Sequence, residues 1–484
     1  MKSTLHLDRY TRRDVLKTLG TFFALPIVNE RIWSASYDVA TRPNVVLLVA
    51  DDLGWSDVGC MGNRFIDTPN IDRLASDGML FTNAYAPAPI CSATRAAILT
   101  GKSPARLHFE FVSKDKSSKP LQGTKLIQPP FTEDLPLEEL TFAEVLSETG
   151  YVTGMFGKWH LTQRNDRYLG WGDTHGPLQQ GFMFGSEDRG SHPYSYKERT
   201  FGKFEEGQFP EDSLIKSSID FIQRNSNRPF LMYLPLYYVH TPVHTRCKWL
   251  YDKYAGRLEQ NANADHIMYA AFVETMDHYI GQVLGAINNL GLTRNTIVMF
   301  TSDNGGHPQY TDNSPLNGSK WNLYEGGIRV PMVVRWPGVV QRASKCNIPV
   351  IGTDLFPTLC EIARAEKNPK IPLDGVSFVP LQKDPSGGSW QRDTLYWHFP
   401  YYHPPYKGGE SRTFGTTPQS AMRKGNYKLL YRYETSRTEL FDLSSDISEQ
   451  HDISQKLPER TTALKGELMD HLKTIDARFP KKRP

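Results

Sequence analysis

Five short, uninterrupted apolar runs constrain the fold of this chain more than any other feature. Gly, Pro or Asn bound them, and they are NVVLLVA (44–50), YVTGMF (151–156), PFLMYLPL (229–236), TIVMFTS (296–302) and VPMVVRW (330–336). A strand that is apolar throughout, rather than at alternate positions, is typical of a parallel sheet covered on both faces. We therefore predict an α/β fold built on a mostly parallel sheet.

Helical patterns lie between these runs. TFAEVLSETG begins with a capping box from Thr141 to Glu144 and ends at Gly150. From Met268 to Leu290, apolar residues recur along one helical face. This alternation of strands and helices favours an α/β sandwich. The members of the apolar face are Phe272, Met276, Ile280, Val283, Ile287 and Leu290.

The chain changes character after about residue 376. AMRKGNYKLLYRYE predicts a hairpin that turns at Gly425 and Asn426, and TELFDL predicts another strand. The spacing of Leu464, Leu468 and Leu472 predicts a last helix. We expect an α/β domain over residues 37–375 and a smaller α+β domain over residues 376–484, which has an antiparallel sheet.

Residues 1–36 are predicted to be an export signal. Arg12 and Arg13 precede an apolar run, from about Leu19 to Val28, that is too short to span a bilayer. The pattern resembles a bacterial twin-arginine signal. It implies the twin-arginine export machinery as a partner and a periplasmic or secreted location.

Composition narrows the classes of partner. The formal charge is only +3 over 484 residues, so we expect no binding to nucleic acid. The five cysteines include no C-x-x-C pair and cannot all be paired, which argues against a disulfide framework but leaves a single disulfide open. Cys360, within DLFPTLCEIA, is expected to pack in the core.

Charged residues follow four of the apolar runs. Ligands of open α/β sheets bind beyond the carboxyl ends of the strands, so these residues are expected to meet at one edge. They are Asp51 and Asp52 after the first run, Lys158 and His160 after the second, His240 after the third, and Asp303 and Asn304 after the fourth.

Carboxylate and amide oxygens form a hard ligand set that selects Ca²⁺ or Mg²⁺ over zinc. DDLGW alone fits an ordinary strand-end turn equally well, but DDLGW and SDNGG together, each behind a buried strand, predict a metal site. A divalent cation with Arg95, Lys158, Lys320 and two histidines suits a tetrahedral oxyanion substrate. Sulfate and phosphate esters are the two candidates, and the histidines would transfer protons.

The segment CSATRAAILTG predicts a helix that begins near Cys91 and ends at Gly101. Free N–H groups and the helix dipole make that start suitable for a thiolate, an oxyanion or a bound anion. The alternative is that Cys91 is a small buried side chain. The predicted site still lacks a nucleophile, and Cys91 lies where one is needed.

CSATR resembles the C-x-(P/A)-x-R signature of the formylglycine-dependent sulfatases. NVVLLVADDLGW, GKWHL, HTPVH, TSDNGG and KWNLYEGGIRVP match further motifs of that family, so the resemblance runs from about Asn44 to the C-terminal helix. It implies an alkaline-phosphatase-like sandwich and hydrolysis of sulfuric esters. Residues 37–375 would then form the catalytic domain, and residues 376–484 would complete the substrate pocket. Ala93 replaces the commoner Pro, which bears on the maturation enzyme that acts.

The same resemblance implies the chemistry. A formylglycine-generating maturation enzyme would oxidise Cys91 to formylglycine (3-oxoalanine), whose hydrate attacks sulfur with one hydroxyl and expels sulfate with the other. Arg95 and Lys158 would steady the formylglycine and the sulfate, and His160 would deprotonate the second hydroxyl. His240 and Lys320 would act on the leaving-group oxygen, and Asp303 would be the base toward the attacking hydroxyl. The implied ligands of Ca²⁺, or alternatively Mg²⁺, are Asp51, Asp52, residue 91, Asp303 and Asn304.

For an exported sulfatase we expect a sulfated carbohydrate as substrate. YWHFPYYHPPY (396–406) places aromatic residues and histidines in one stretch, although Tyr396, Trp397 and Phe399 are expected in the core. Alternative functions are hydrolysis of aryl sulfates, hydrolysis of phosphonate or phosphate esters, and glycan binding without catalysis. Candidate substrate contacts are His192, His307, Tyr402 and His403.

Overall fold

The five predicted strands lie side by side in the centre of one nine-stranded sheet. The computed structural model describes residues 42–113, 124–163, 169–196, 198–257, 263–366, 371–403 and 415–483. The predicted export signal lies outside the described residues. The strands are β1 (Asn44–Ala50), β2 (Met79–Tyr85), β3 (Leu126–Ile127), β4 (Val152–Phe156), β5 (Phe184–Ser186), β6 (Phe230–Pro235), β7 (Thr296–Ser302), β8 (Arg329–Arg335), β9 (Ser344–Cys346), β10 (Val350–Ile351), β11 (Thr394–Phe399), β12 (Gln419–Lys424), β13 (Tyr427–Arg432), β14 (Arg437–Asp442) and β15 (Lys481–Lys482).

The sheet order is β10, β2, β8, β7, β1, β6, β4, β5, and β9 also pairs with β2. β8 runs antiparallel to both its neighbours, β2 and β7. The other pairings in this sheet are parallel. The prediction of a mostly parallel sheet is therefore confirmed.

Helices cover both faces of the sheet. They are α1 (Pro69–Ser76), α2 (Cys91–Thr100), α3 (Pro104–Leu107), α4 (Phe142–Glu148), α5 (Ser213–Arg224), α6 (Lys248–Ala255), α7 (Ala264–Asn289), α8 (Glu325–Ile328), α9 (Leu355–Ile362), α10 (Val379–Lys383) and α11 (Pro458–Thr474). Short 3₁₀ turns occur at Gly59–Met61, Pro177–Gln179, Pro193–Ser195, Thr293–Asn295 and Gly352–Asp354. Within the described ranges, none of these helices is long and apolar enough to cross a bilayer.

The apolar runs are continuous because each strand feeds two cores. In β1, Val46 and Leu48 pack in the core that contains α7, whereas Val45 and Leu47 pack in the core that contains α2 and α9. Each fully buried side chain of this size contributes roughly 1.5–3 kcal/mol relative to an exposed one. The predicted apolar face of α7 is buried except for Leu290, which follows the last helical residue and is 38% exposed.

The C-terminal region forms the predicted antiparallel sheet, in the order β11, β12, β13, β14. Its central hairpin turns at Gly425, whose φ of 57° favours glycine. One face packs against α11 through Leu464, Leu468 and Leu472. Residues Val39–Pro484 cluster as one compact unit, and the domain boundary near residue 376 stays a prediction.

Aromatic residues of β11 take the core positions expected of them. Trp397 and Phe399 are buried, and the Trp397 indole N–H donates to the Ala86 carbonyl. Tyr396 is half-buried and stacks on His471 of α11 with 3.7 Å between ring centroids. All five cysteines are free, and Cys360 packs at the edge of the core around α9.

A buried group of charged side chains joins the two sheets, and we call it the junction cluster. Lys428 of β13 lies 2.8 Å from carboxylate oxygens of both Glu325 and Glu449. The second oxygen of Glu449 accepts from the backbone N–H of Glu325 at 2.7 Å. These contacts anchor the first residue of α8 to the antiparallel sheet. The members of the cluster, each no more than 6% exposed, are Tyr85, Glu325, Arg329, Arg423, Lys428 and Glu449.

Candidate active site

The carboxyl ends of four adjacent parallel strands meet at one edge of the sheet, as predicted. β7, β1, β6 and β4 are neighbours in that order, and each is followed by its predicted polar residues. We call the buried charged side chains at this edge, with Cys91, the strand-edge cluster. Its members, each no more than 5% exposed, are Asp51, Asp52, Cys91, Arg95, Lys158, Asp303 and Lys320.

Asp51 lies between two cations. Lys158 Nζ donates to Asp51 Oδ2 at 2.5 Å, and an Arg95 guanidinium nitrogen lies 3.7 Å from Asp51 Oδ1. Burial alone would lower the pKa of Lys158, but Asp51 outweighs it and the pKa rises to about 12. Lys158 is therefore a fixed positive charge at neutral pH.

Asp52 is the most heavily contacted carboxylate of the cluster. Lys320 Nζ lies 2.6 Å from both of its oxygens, and the Asn304 amide donates to Oδ1 at 2.8 Å. Burial opposes ionisation, but the charges of Lys320 and His240 hold the pKa of Asp52 below its ordinary range. Asp52 also has a φ of 64°, a backbone region that non-glycine residues rarely adopt and that is often found at functional sites.

Arg95 ties the helix that begins at Cys91 to the end of β7. Its guanidinium donates to Asp303 Oδ2 at 2.9 and 2.7 Å and to the Lys158 carbonyl at 2.7 Å. Burial and the neighbouring Asp51 raise the pKa of Asp303 to about 6. The carboxylates at this edge are thus crowded even with their cations in place.

Cys91 begins helix α2, which ends at Gly101 with a φ of 68°, as the sequence predicts. Its Sγ is 3.4 Å from Asp51 Oδ1 and 3.7 Å from Asp52 Oδ1. Burial and the charge of Asp303 raise the pKa of the thiol well above its ordinary value. An unmodified Cys91 is therefore a protonated thiol at neutral pH and a poor nucleophile.

Lys320 reaches the cluster from the segment that precedes β8. The backbone N–H of Lys320 donates to the Gly306 carbonyl at 3.0 Å, and that of Trp321 donates to the Pro89 carbonyl at 2.8 Å. This segment packs so closely on the turn after β7 that a Cβ at Gly305 would lie 1.8 Å from the Gly326 oxygen. The paired glycines of SDNGG permit that approach.

His160 and His240 are both neutral in this environment. Burial and the charge of Lys158 lower the pKa of each well below its ordinary value. His240 Nδ1 contacts the Thr241 carbonyl at 2.6 Å, and its Nε2 lies 3.7 Å from Asp52. His160 has a φ of 58°, and its buried Nδ1 has no hydrogen-bond partner among the described residues. Each histidine offers a ring nitrogen that can take up a proton.

Two of the predicted substrate contacts lie beside Lys320. His403 stacks on Trp321 with 4.0 Å between ring centroids, and His307 meets the same indole edge-on at 5.0 Å. The Lys320 ammonium is 5.5 Å from the centre of the Trp321 ring. His307 and His403 thus stay predictions as substrate contacts.

The other two predicted contacts require correction. His192 is fully buried, and its ring nitrogens bond to the His240 carbonyl at 3.0 Å and the Tyr194 N–H at 3.2 Å. It supports the backbone under His240 and has no nitrogen left for substrate. The Tyr402 hydroxyl donates to Glu434 and accepts from the Leu126 N–H of β3, so its donor and an acceptor position are both used within the protein.

Sequence reasoning missed Tyr194 and Tyr233. The Tyr194 hydroxyl lies 3.0 Å from His240 Nδ1 and donates to the Thr241 carbonyl at 2.7 Å. Tyr233 of β6 is buried near Arg95 and Asp303, and burial raises its pKa to about 12. Tyr194 lies in a loop with no periodic pattern, and Tyr233 is one apolar letter of a buried strand, so neither carries a local signal.

The donor set fits a hard divalent cation. Single ligand atoms of Asp51, Asp52, Cys91 and His240 lie within 4.8 Å of one another. The buried Asn304 Oδ1 has no hydrogen-bond partner among the described residues, as expected of an oxygen that awaits a metal ion. Three carboxylates face three cations here, so a divalent ion would make the site net positive and suited to an anionic substrate.

Comparisons with known proteins agree with this geometry. The family described as Sulfatase matches residues 43–365, and that described as N-sulphoglucosamine sulphohydrolase, C-terminal, matches residues 319–478. A sulfatase of Formosa agariphila is 30% identical over 88% of this chain and 87% of its own length. Human arylsulfatase A is 31% identical over 82% of this chain and 76% of its own length. The crystal structure of Ps i-CgsB in complex with k-i-k-neocarrahexaose superposes with a TM-score of 0.69 at 26% identity, over 89% of this chain and 93% of that chain.

Proposed function

Because this chain belongs to the sulfatase family and is a hydrolase of sulfate esters, we propose that it desulfates a carbohydrate by means of formylglycine at position 91 and a divalent cation. The observation that carries the proposal is the position of Cys91. Its Sγ lies at the start of α2, against Asp51 and Asp52, and it interacts electrostatically with Lys158, Lys320 and Arg95. The sulfated carbohydrate is supported by the neighbour solved with a carrageenan hexasaccharide.

The cation in this proposal is Ca²⁺, held by Asp51, Asp52, Asp303, Asn304 and residue 91. All but the last offer a carboxylate or amide oxygen, and Ca²⁺ takes more oxygen ligands in looser geometry than Mg²⁺ does. When bound, the cation polarises a sulfate oxygen and the hydrate of formylglycine supplies the attacking hydroxyl. The remaining steps belong to side chains of this chain.

Lys158 and Arg95 bind and orient. Both are fully buried and permanently charged, and Arg95 is held rigid by its three hydrogen bonds to Asp303 and the Lys158 carbonyl. Fixed donors of this kind stabilise negative charge without having to reorganise. We assign them to the sulfate oxygens and to the substituents on residue 91.

His160, His240 and Lys320 are assigned to proton transfer and hydrogen bonding at the reacting oxygens. The pKa of His160 is depressed by burial and by Lys158, so it is a neutral base suited to taking a proton from a hydroxyl on residue 91. His240 Nε2 lies 3.7 Å from Asp52, and Lys320 contacts both oxygens of that carboxylate. We assign them to the leaving oxygen, where an ammonium donates a hydrogen bond and an imidazole, charged beside the bound anion, delivers a proton.

The first test is a mass spectrum of the tryptic peptide that spans residues 74–95, from protein produced with a formylglycine-generating enzyme. We expect the mass of the aldehyde or its hydrate at residue 91, and unmodified thiol at Cys360 as the internal control. Cys91→Ala should lose activity on an aryl sulfate, whereas Cys360→Ala should keep it. An unmodified Cys91 in fully active protein would overturn the proposal.

The second test separates sulfate from phosphate chemistry and identifies the sugar. The sulfate and phosphate monoesters of one aryl alcohol should be compared at matched concentrations, followed by a panel of sulfated galactans, fucans and glycosaminoglycan fragments. We expect the sulfate ester to be preferred and at least one saccharide to be desulfated. Preference for the phosphate ester would replace the proposed reaction. If no saccharide of the panel is desulfated, the proposal that the substrate is a carbohydrate is wrong.

We further propose that the chain is exported in bacteria and matured by a formylglycine-generating enzyme. The support is Arg12 and Arg13 ahead of an apolar run, and the CSATR signature itself. Replacing both arginines with lysine should retain the protein in the cytoplasm, as cell fractionation would detect. Equal export of the two forms would contradict this part of the proposal.

A further inference from the structure

A surface of aromatic and basic side chains lies beside His240 and takes no part in the chemistry proposed above. We call it the ledge, and its members are Tyr196, Arg199, Phe201 and Arg246, with the buried His244 packed against Phe201 and Tyr196. The Phe201 ring, 38% exposed, lies over His244 with 5.5 Å between centroids and an interplanar angle of 30°. The Arg246 guanidinium lies 5.7 Å from the centre of the Tyr196 ring. Flat aromatic faces and cationic groups thus share one surface.

The ledge is held in place by backbone and side-chain bonds. Gly202 pairs with Cys247 in a parallel bridge, and its N–H donates to the Arg246 carbonyl at 2.8 Å. The Tyr196 hydroxyl lies 3.1 Å from His244 Nδ1. Tyr196, His244 and the backbone of Arg246 are therefore held in place, which limits the entropy lost when a ligand binds.

The ledge adjoins the residue that we assign to the leaving oxygen. His244 follows His240 by four residues, so their Cα atoms are at most about 14 Å apart. Tyr194, two residues before Tyr196, contacts His240 Nδ1 at 3.0 Å. A saccharide that extends from His240 past Tyr194 would run toward the ledge.

The two arginines of the ledge are available to an anion. Arg199 and Arg246 are exposed, and neither forms an ion pair with a carboxylate in the part of the chain that the structure describes. Burial and the charges of these two arginines lower the pKa of His244. The same loop carries three exposed glutamates, which also pair with neither arginine: Glu198, Glu205 and Glu206.

We propose that the ledge binds a second anionic sugar residue of the substrate, next to the one that loses its sulfate. This inference rests on the proposed function. An aromatic ring can pack against the apolar face of a sugar, and an arginine fork matches the planar oxygens of a carboxylate or sulfate. The enzyme then prefers charged oligosaccharides to single sugars, and this preference appears in KM.

The experiment measures how sulfated oligosaccharides inhibit hydrolysis of an aryl sulfate. Short fragments of carrageenan, chondroitin sulfate, heparin and fucan serve as probes, with inorganic sulfate as the reference anion. The variants are Arg246→Gln and Arg199→Gln. Arg294→Gln is the matched control, because Arg294 is an exposed arginine just before β7, at the opposite edge of the sheet.

The inhibition constant of the best oligosaccharide should rise about tenfold in Arg246→Gln, the loss of one charge-assisted hydrogen bond. That of inorganic sulfate and the kcat for the aryl sulfate should not change. Added salt should weaken the oligosaccharide more for the wild type than for the variant. The inference is overturned if Arg246→Gln behaves like Arg294→Gln, or if no oligosaccharide inhibits better than inorganic sulfate.

Binding without turnover separates this inference from the proposed function. Calorimetric titration of Cys91→Ala with the same oligosaccharides reports the ledge even if wild-type protein hydrolyses no sulfate ester. Loss of that binding on adding Arg246→Gln supports the ledge. Unchanged binding overturns it, whatever the activity assays show.

Discussion

The strand-edge cluster and the junction cluster are built from the same kinds of side chain, and both are almost fully buried. They differ in what is left over. In the junction cluster one lysine contacts both carboxylates at 2.8 Å, and the backbone supplies a further donor. In the strand-edge region, Asn304 Oδ1 and His160 Nδ1 lack partners within the described residues. Glu449 Oε1 of the junction cluster also lacks a hydrogen bond, but it is held by its ion pair with Lys428. The strand edge therefore differs in having buried polar atoms with neither a hydrogen bond nor an ion pair.

The largest effect should come from removing Lys158 of the strand-edge cluster or the neighbouring His240. Lys158→Ala and His240→Ala should each lower kcat on an aryl sulfate by at least about 10²-fold, because a charge-stabilising or proton-transferring group is lost. Lys102→Ala, which removes a half-buried lysine paired with Glu139, should stay near wild type. If kcat falls by less than tenfold in both variants, the strand edge is not the catalytic site.

Removing the cation of the junction cluster should act on stability instead. Lys428→Met leaves Glu325 and Glu449 buried without their shared partner, which should lower the free energy of unfolding by about 3–5 kcal/mol. Below the unfolding transition kcat should fall less than tenfold. Chemical denaturation measures the first quantity, and Lys424→Met, which breaks an exposed pair with Glu467, is the matched control. A large kcat loss in stable Lys428→Met protein would blur the distinction.

Removal of Ca²⁺ by a chelator should lower thermal stability through the strand-edge cluster and not through the junction cluster. A ligand at a hundredfold excess over its Kd stabilises the folded state by about 2.7 kcal/mol, so removing Ca²⁺ should lower the thermal midpoint. Asn304→Ala should lose most of this response, whereas Lys428→Met should keep it. Scanning calorimetry with and without Ca²⁺ measures the shift. A response of equal size in Asn304→Ala would exclude that oxygen from the metal site.

The smallest effect concerns pH. Burial and the neighbouring Glu325 raise the pKa of Glu449 from 4.5 to about 7. Between these values the folded chain keeps a proton that the unfolded chain releases, so this group's contribution to stability falls as pH rises. Glu449→Gln removes the titration. The stability of the variant relative to wild type should therefore increase from pH 4.5 to pH 7, as denaturation at several pH values would reveal.

The sequence predicted the centre of the fold because each central strand packs on both faces. β1 and β7 have the predicted bounds, since each run ends at an aspartate, Asp51 or Asp303, although burial continues past both strands. β2 was missed because Thr82 and Asn83 interrupt MLFTNAY, and the register shifts there. Their side chains bond to Asn347 instead, a contact over more than 260 residues that no local pattern encodes.

The site was predictable to the extent that strand ends meet. Asp51, Lys158 and Asp303 each follow a recognisable strand, so the topology brings them together. From the sequence alone, His192 was as good a candidate as these residues, but its side chain points inward and supports His240. The direction of a side chain in a loop cannot be read from sequence spacing. The junction cluster escaped prediction because Glu325 and Lys428 are 103 positions apart.

The reversed direction of β8 has a consequence for assembly. The other strands at the site deliver their residues after they end, whereas β8 is preceded by Lys320, the cation that contacts both oxygens of Asp52. A chain synthesised only as far as Asn304 therefore contains all three carboxylates of the pocket but only two of its three cations, Arg95 and Lys158. The third positive charge, Lys320, lies in the segment that leads into β8. The charges of the pocket therefore balance only when synthesis has reached the residues just before β8.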